Sequence, residues 1–210
     1  MLSHALIIVR NELNKHFADS YGSGASQVEL RNIAEGFSTT GNGSSERDRL
    51  YLSVVNIKEE KTLKNLPNYT RNDATLRAVY ENPPVFLNFL ILMAATHTNY
   101  TNALSILSRV IRFFQFKNVF TQDDVSPDSI TASGIINPLD QLEDFKLIFD
   151  LYSPTMEEVN HLWGTLGGKQ YPFVLYTLRM LELKFKAVQS ESGLITEVVS
   201  NFHQKKTAAT

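Results

Sequence analysis

Glu158-Val-Asn-His161 comes nearest to chemistry in this chain, because Glu-x-x-His spacing sets a carboxylate and an imidazole on one helix face. A di-metal carboxylate centre needs two such copies and two further glutamates from facing helices, and the sequence holds one copy. The alternative is that His161 borders the face carrying Trp163 and makes an ordinary hydrogen bond. Gly167-Gly168-Lys169 suggests a phosphate loop, but a Walker motif wants glycine five residues before its last glycine and Ser or Thr after the lysine. Trp163 and Gln170 stand there, and a helix rather than a strand precedes, so a helix stop and turn explains the glycines. His4, His16, His97 and His203 share no spacing, and no cysteine exists to act as nucleophile, thiolate ligand or disulfide partner. The residues therefore bring no cofactor or metal site. A metal-dependent hydrolase built on Glu158 and His161 stands as the alternative from another class.

The elements that position these residues are legible from periodicity. After Glu81-Asn-Pro83-Pro84, the run Val85 to Ala95 is almost unbroken apolar, too short for a membrane helix of roughly 20 residues. It reads as a strand buried on both faces, with Pro83 and Pro84 ahead of it where no ladder bond is lost. Leu2, Leu6, Val9, Leu13 and Phe17 predict an amphipathic first helix, with Arg10, Glu12, Asn14 and Lys15 turned away. Strands are expected over 28–33, 50–57, 145–151 and 173–185. A polar connection is expected through Pro67 and Asn72, a loop over 36–48, and a short hairpin around Ile130 to Ile136.

Asn99 opens a second helix, capped by Thr98 or Asn99, with Tyr100, Ala103, Leu104, Leu107, Ile111 and Phe114 as its core stripe. Ser153-Pro154 opens another, with Met156, Val159, Trp163 and Leu166 inward and Gly167-Gly168 ending it. Leu194 to Phe202 is a candidate short helix. Strands and helices interleave without regular βαβ spacing, so the fold class is α+β.

Surfaces follow from the same reading. A net charge of −2 on 210 residues gives no reason to expect nucleic acid or an anionic membrane as partner. Lys58-Glu59-Glu60-Lys61 is either a solvated strand end or a set of ion pairs across an oligomer interface. Arg109 and Arg112 face outward or meet a partner, and Phe113 or Phe116 is a candidate interface anchor. Ile195, Val198, Val199 and Phe202 belong either to a loose tail or to an arm docking on a neighbouring subunit.

Several blocks together carry a resemblance: Asn56 to Asn65, Asn82-Pro-Pro-Val-Phe-Leu-Asn-Phe89, Ala103 to Gln115, and Glu157 to Lys169 with Pro172 and Tyr176 to Leu181. The chain from Leu2 to about Lys186 resembles the N-terminal domain of the cap, or tube-terminator, proteins of extracellular contractile injection systems. The resemblance implies a terminator-like mixed, mainly antiparallel sheet flanked by helices, over a domain of 1–186 with an arm or tail at 187–210. It implies a non-enzymatic structural subunit in a six-fold ring that stops inner-tube growth and fastens the last sheath layer. Such a protein is made in the bacterial cytoplasm and carried on a particle released from the cell. Its partners are its own copies, the tube protein and the sheath protein, the latter held by strand addition at an edge, 28–33 or 173–185. A tail-completion or baseplate-adaptor subunit is the structural alternative.

Overall fold

The computed structural model describes residues 1–22, 27–36, 47–63, 67–131, 134–135, 137–142, 144–183, 190–194, 197–200 and 202. They form two compact units, one of residues 1–63 with 85–183 and one of 64–84 with 184–210.

The first unit is built on a six-stranded sheet. Its strands in chain order are β1 (Val28–Leu30), β2 (Leu50–Glu59), β5 (Val85–Ala95), β6 (Val119–Thr121), β7 (Lys146–Tyr152) and β8 (Phe173–Leu183). The spatial order is β1-β2-β5-β8-β7-β6, antiparallel at every junction except β1 on β2. The apolar run of β5 thus sits at the centre, and its second half, Ile91 to Ala95, is wholly buried. Because side chains alternate across a sheet, β5 feeds two cores. Phe89, Ile91, Met93 and Ala95 meet α1 (Leu2–Tyr21) and α2 (Tyr100–Phe116), while Leu92 and Ala94 meet Trp163 of α4 (Met156–Thr165). On the helical side Phe113, Phe114, Phe120, Phe149 and Tyr176 form a ring cluster, with centroids 4.6 Å apart for Phe114 and Tyr176. Offset aromatic pairs of this kind add about 0.5–1.5 kcal/mol each beyond the area they bury.

The second unit holds a three-stranded antiparallel sheet in the order β3-β4-β9, from Tyr69–Asn72, Arg77–Tyr80 and Ser190–Gly193. The polar connection read from sequence therefore contains a hairpin. Asn72 organises its turn by accepting from the amides of Ala74 and Thr75. On the other side of β4, Arg77 pairs with Glu191 of β9 at 2.9 Å.

Other expectations change in detail. The first strand is only Val28–Leu30, and a 3-10 turn over Ile33–Glu35 replaces the rest. Of the expected loop, 37–46 lies outside the described residues. Around Ile130 the chain makes a short helix, α3 (Pro127–Thr131), not a hairpin strand. The last helix starts later than Ser153-Pro154 suggested. Thr155 is its cap, accepting from the Glu158 amide while Glu158 accepts from the Thr155 amide, a reciprocal box that outcompetes the serine. Its Met156 is exposed rather than buried. Gly167 and Gly168, at φ 96° and 77°, end it as expected, and the Gly168 amide donates to the Trp163 carbonyl at 2.8 Å. Residues 197–200 and 202 are not helical.

Candidate assembly surfaces

Glu12 was expected to face solvent and does not. Its carboxylate is buried between α1, the end of α2 and α3, accepting from Lys117 Nζ at 2.8 Å, Ser129 Oγ at 2.7 Å and the Ser126 amide at 3.2 Å. Burial pushes its carboxyl up, but these donors and the ammonium charge outweigh that and hold it below the ordinary carboxylate range. Asn14 is also engaged, exchanging two hydrogen bonds with the Val28 backbone. His4 is buried as well. Its Nδ1 accepts from the Leu142 amide at 2.8 Å, so the proton sits on Nε2 and is donated to the Ile130 carbonyl at 3.1 Å. Through Ser126, Ser129, Ile130 and Leu142 these ties hold α1 on the segment between β6 and β7, while Lys117 and Val28 tie it to the end of α2 and to β1.

The residues singled out for chemistry do not converge. Glu158 is spent on its cap box and on the Tyr152 hydroxyl, 2.8 Å away, while exposed His161 lies 3.7 Å from Glu157. The amide of Thr155 and the Tyr152 hydroxyl hold the Glu158 carboxyl low, and the hydroxyl of Thr62 does the same for Glu60. A general acid working near neutral pH needs the opposite shift. Among the described residues no group of three or more His, Asp or Glu can hold a metal ion.

What the structure does present is surface. Beyond the α4 footprint the open sheet face is polar. Asn88 donates to Glu60 at 2.8 Å, Arg179 pairs with Asp150 at 2.7 Å, and Lys58 projects from the same face. Lys58 and Glu59 lie within β2, while Lys61 starts a 3-10 turn. The expected edge at 173–185 is corrected: β8 lies between β5 and β7, an interior place that charged alternation on one face had disguised. The edge strands are β1 and β6. The side of β2 facing away from β5 is paired with a strand only over Leu50–Leu52, and among the described residues no strand pairs with it from Ser53 to Lys58.

On α2 the buried arc is Ala103, Ile106, Leu107, Val110, Phe113 and Phe114. Phe113 is 3% exposed and belongs to the core, whereas Phe116 is 82% exposed. The expected stripe is rotated: Tyr100, Leu104 and Ile111 remain outside. Asn99 caps the helix, accepting from the Thr101 amide at 2.9 Å. Arg109 lies over the Tyr21 ring, 4.2 Å from its centroid, and Arg112 is exposed. In the second unit Val198, Val199 and Phe202 are 70–93% exposed, and Ile195 lies outside the described residues. No helix among the described residues is long and apolar enough to cross a membrane.

The fold has counterparts. One is the sheath/tube terminator of PVC, an extracellular contractile injection system, in the extended state, at 12% identity and TM-score 0.60 over 97% of this chain and 65% of that one. Another is the tube-terminating cap of the anti-feeding prophage, at 14% identity and TM-score 0.53 over 92% of this chain and 60% of that one. The chain thus spans somewhat under two thirds of the length of these structures. No curated protein matches. A family model, the Pvc16 N-terminal domain, matches residues 7–197. The chain belongs to the Pvc16 N-terminal domain family.

Proposed function

We propose that this chain is a structural cap that terminates the inner tube and anchors the last sheath layer of a phage-tail-like contractile injection particle. The observation that carries the reading is the family match over 7–197, supported by a fold shared along nearly the whole chain with a sheath/tube terminator and a tube-terminating cap. It acts by shape, not by chemistry. Copies stand side by side in a six-membered ring, one rim matching the last tube layer and the other offering no seat for another. Sheath subunits are held at a sheet edge through backbone hydrogen bonds, which demand little of side-chain identity. Among the described residues the side of β2 from Ser53 to Lys58 is the longest stretch of the large sheet with no strand paired on it. The protein is made in the bacterial cytoplasm and leaves it on the particle.

Deleting the gene and measuring tube and sheath lengths by electron microscopy tests this. Lengths that spread without a limit, or sheaths that detach at one end, are expected. Particles of unchanged length with sheath firmly attached refute the reading.

A further inference from the structure

The outer face of α2 carries exposed apolar residues and one arginine but no acid. Its ten exposed residues are Tyr100 to Asn102, Leu104, Ser105, Ser108, Ile111, Arg112, Gln115 and Phe116, with no acidic residue and no lysine among them. Interface cores are depleted in Lys, Glu, Asp and Ser and enriched in aromatics and Arg, so the face fits in its charge and its Tyr100, Phe116 and Arg112 but not in Ser105 and Ser108. Tyr100, Leu104 and Ile111 fall within about 40° on the helical wheel, roughly 140–180° from Arg109. Arg109 and Phe113 mark the side that meets α1, through Tyr21 and His16. The apolar flank therefore points away from α1.

Elsewhere on the same unit the charge reverses. From Asn118 to Phe145 the sequence has six acidic residues and no Lys or Arg, although the whole chain is only −2, so the remainder is net cationic. Asp128, Asp140 and Asp144 are exposed there, as is Leu139, at 66%. This segment is tied to α1 by His4, by Asn11 donating to the Ser129 carbonyl at 3.0 Å, and by the Met1 amine on the Asp140 carbonyl. So α1 touches α2, α3 and the Pro138–Asp140 turn, with the end of α2 and α3 meeting at Glu12.

We infer that the outer face of α2 in one copy, carrying Leu104, Ile111 and, about 80–100° round the helix from them, Arg112, docks on the acidic surface at Asp128, Leu139 and Asp140 of a second copy, a head-to-tail contact that repeats around the ring. Opposite charge on two different surfaces of one chain favours this heterologous pairing and disfavours the symmetric ones, α2 on α2 or acid on acid. The contact rests on the ring proposed above and names its two halves.

The chain has no cysteine, so introduced thiols report without background. Purified chains carrying Leu104→Cys with Leu139→Cys are oxidised and resolved by mass, beside each single variant and the control pair Leu104→Cys with Leu151→Cys, whose second site on β7 is exposed but not acidic. A ladder of disulfide-linked copies at least fivefold stronger than the control is expected, and Arg112→Glu should cut it at least threefold. A ladder no stronger than the control, or singles that dimerise as well as the pair extends, overturns the contact. Particle length reports on the cap role separately. Runaway tubes in the deletion strain without the ladder leave the cap and remove this contact, whereas a ladder with normal particles does the reverse.

Discussion

Lys117→Met tests the buried charge that holds the first helix in place. The substitution keeps the length of the side chain and its packing over the Phe120 ring, where Lys117 Nζ lies 5.2 Å from the centroid. It removes the ammonium from Glu12, whose side chain is 9% exposed, and leaves the carboxylate with Ser129 and Ser126 as donors. Breaking one partner of a buried pair costs about 3–5 kcal/mol. Because Lys117 is 20% exposed and two donors remain, about 2–4 kcal/mol is expected. With a urea slope of about 2 kcal/mol/M, the midpoint should fall by about 1–2 M. The chain's single tryptophan, Trp163, is buried in the same unit, so its fluorescence reports the transition.

The sign with pH is set by the depressed folded-state pKa of Glu12. In the parent its stabilisation is fully present above the ordinary pKa of 4.5 and is lost as pH falls through the lower folded value. In the variant, burial no longer meets an ammonium, so the carboxyl titrates higher and protonation relieves the strain. The gap between the two proteins should therefore narrow from pH 7 to pH 4. A variant within about 0.5 kcal/mol of the parent at pH 7, or a gap that widens in acid, refutes the reasoning, since distant surface changes stay within that range.

Glycine position separates backbone conformation from space. A Cβ at Gly168 or Gly164 meets nothing within 4 Å, but Gly168 has φ +77° and Gly164 lies inside α4. Gly168→Ala should lower stability by about 1–2 kcal/mol in denaturant melts, while Gly164→Ala should raise it by about 0.5–1 kcal/mol. Thr155→Ala removes half of a cap box and should cost about 1 kcal/mol, read the same way. Phe116→Ser, at an exposed position, should leave the melt within about 0.5 kcal/mol and lower recovery of the protein on purified particles.

The central strand was legible because an apolar run behind two prolines admits few other structures, and the cap at Asn99 and the stop at Gly167-Gly168 were legible because both are local. The fate of Glu12 was not. Its partners lie 105 or more positions away, so a helical wheel places it with the polar residues. The face of α2 was misjudged by a fraction of a turn, since its apolar arc is wider than the core beneath it and the surplus is left exposed. The β3–β4 hairpin carries little apolar alternation, although Asn72-Asp73 between two tyrosine-bearing stretches was a usable turn signal. Strand order depends on long-range pairing, so the interior place of β8 had no local signature.

The most direct measurement is cryo-electron microscopy of intact particles carrying a tagged copy of this chain. The tag should appear only at the end distal to the baseplate, as a single closed ring of six on the last tube layer and in contact with the last sheath layer. A tag at the baseplate, along the shaft, or absent from particles whose tubes still end uniformly contradicts the account.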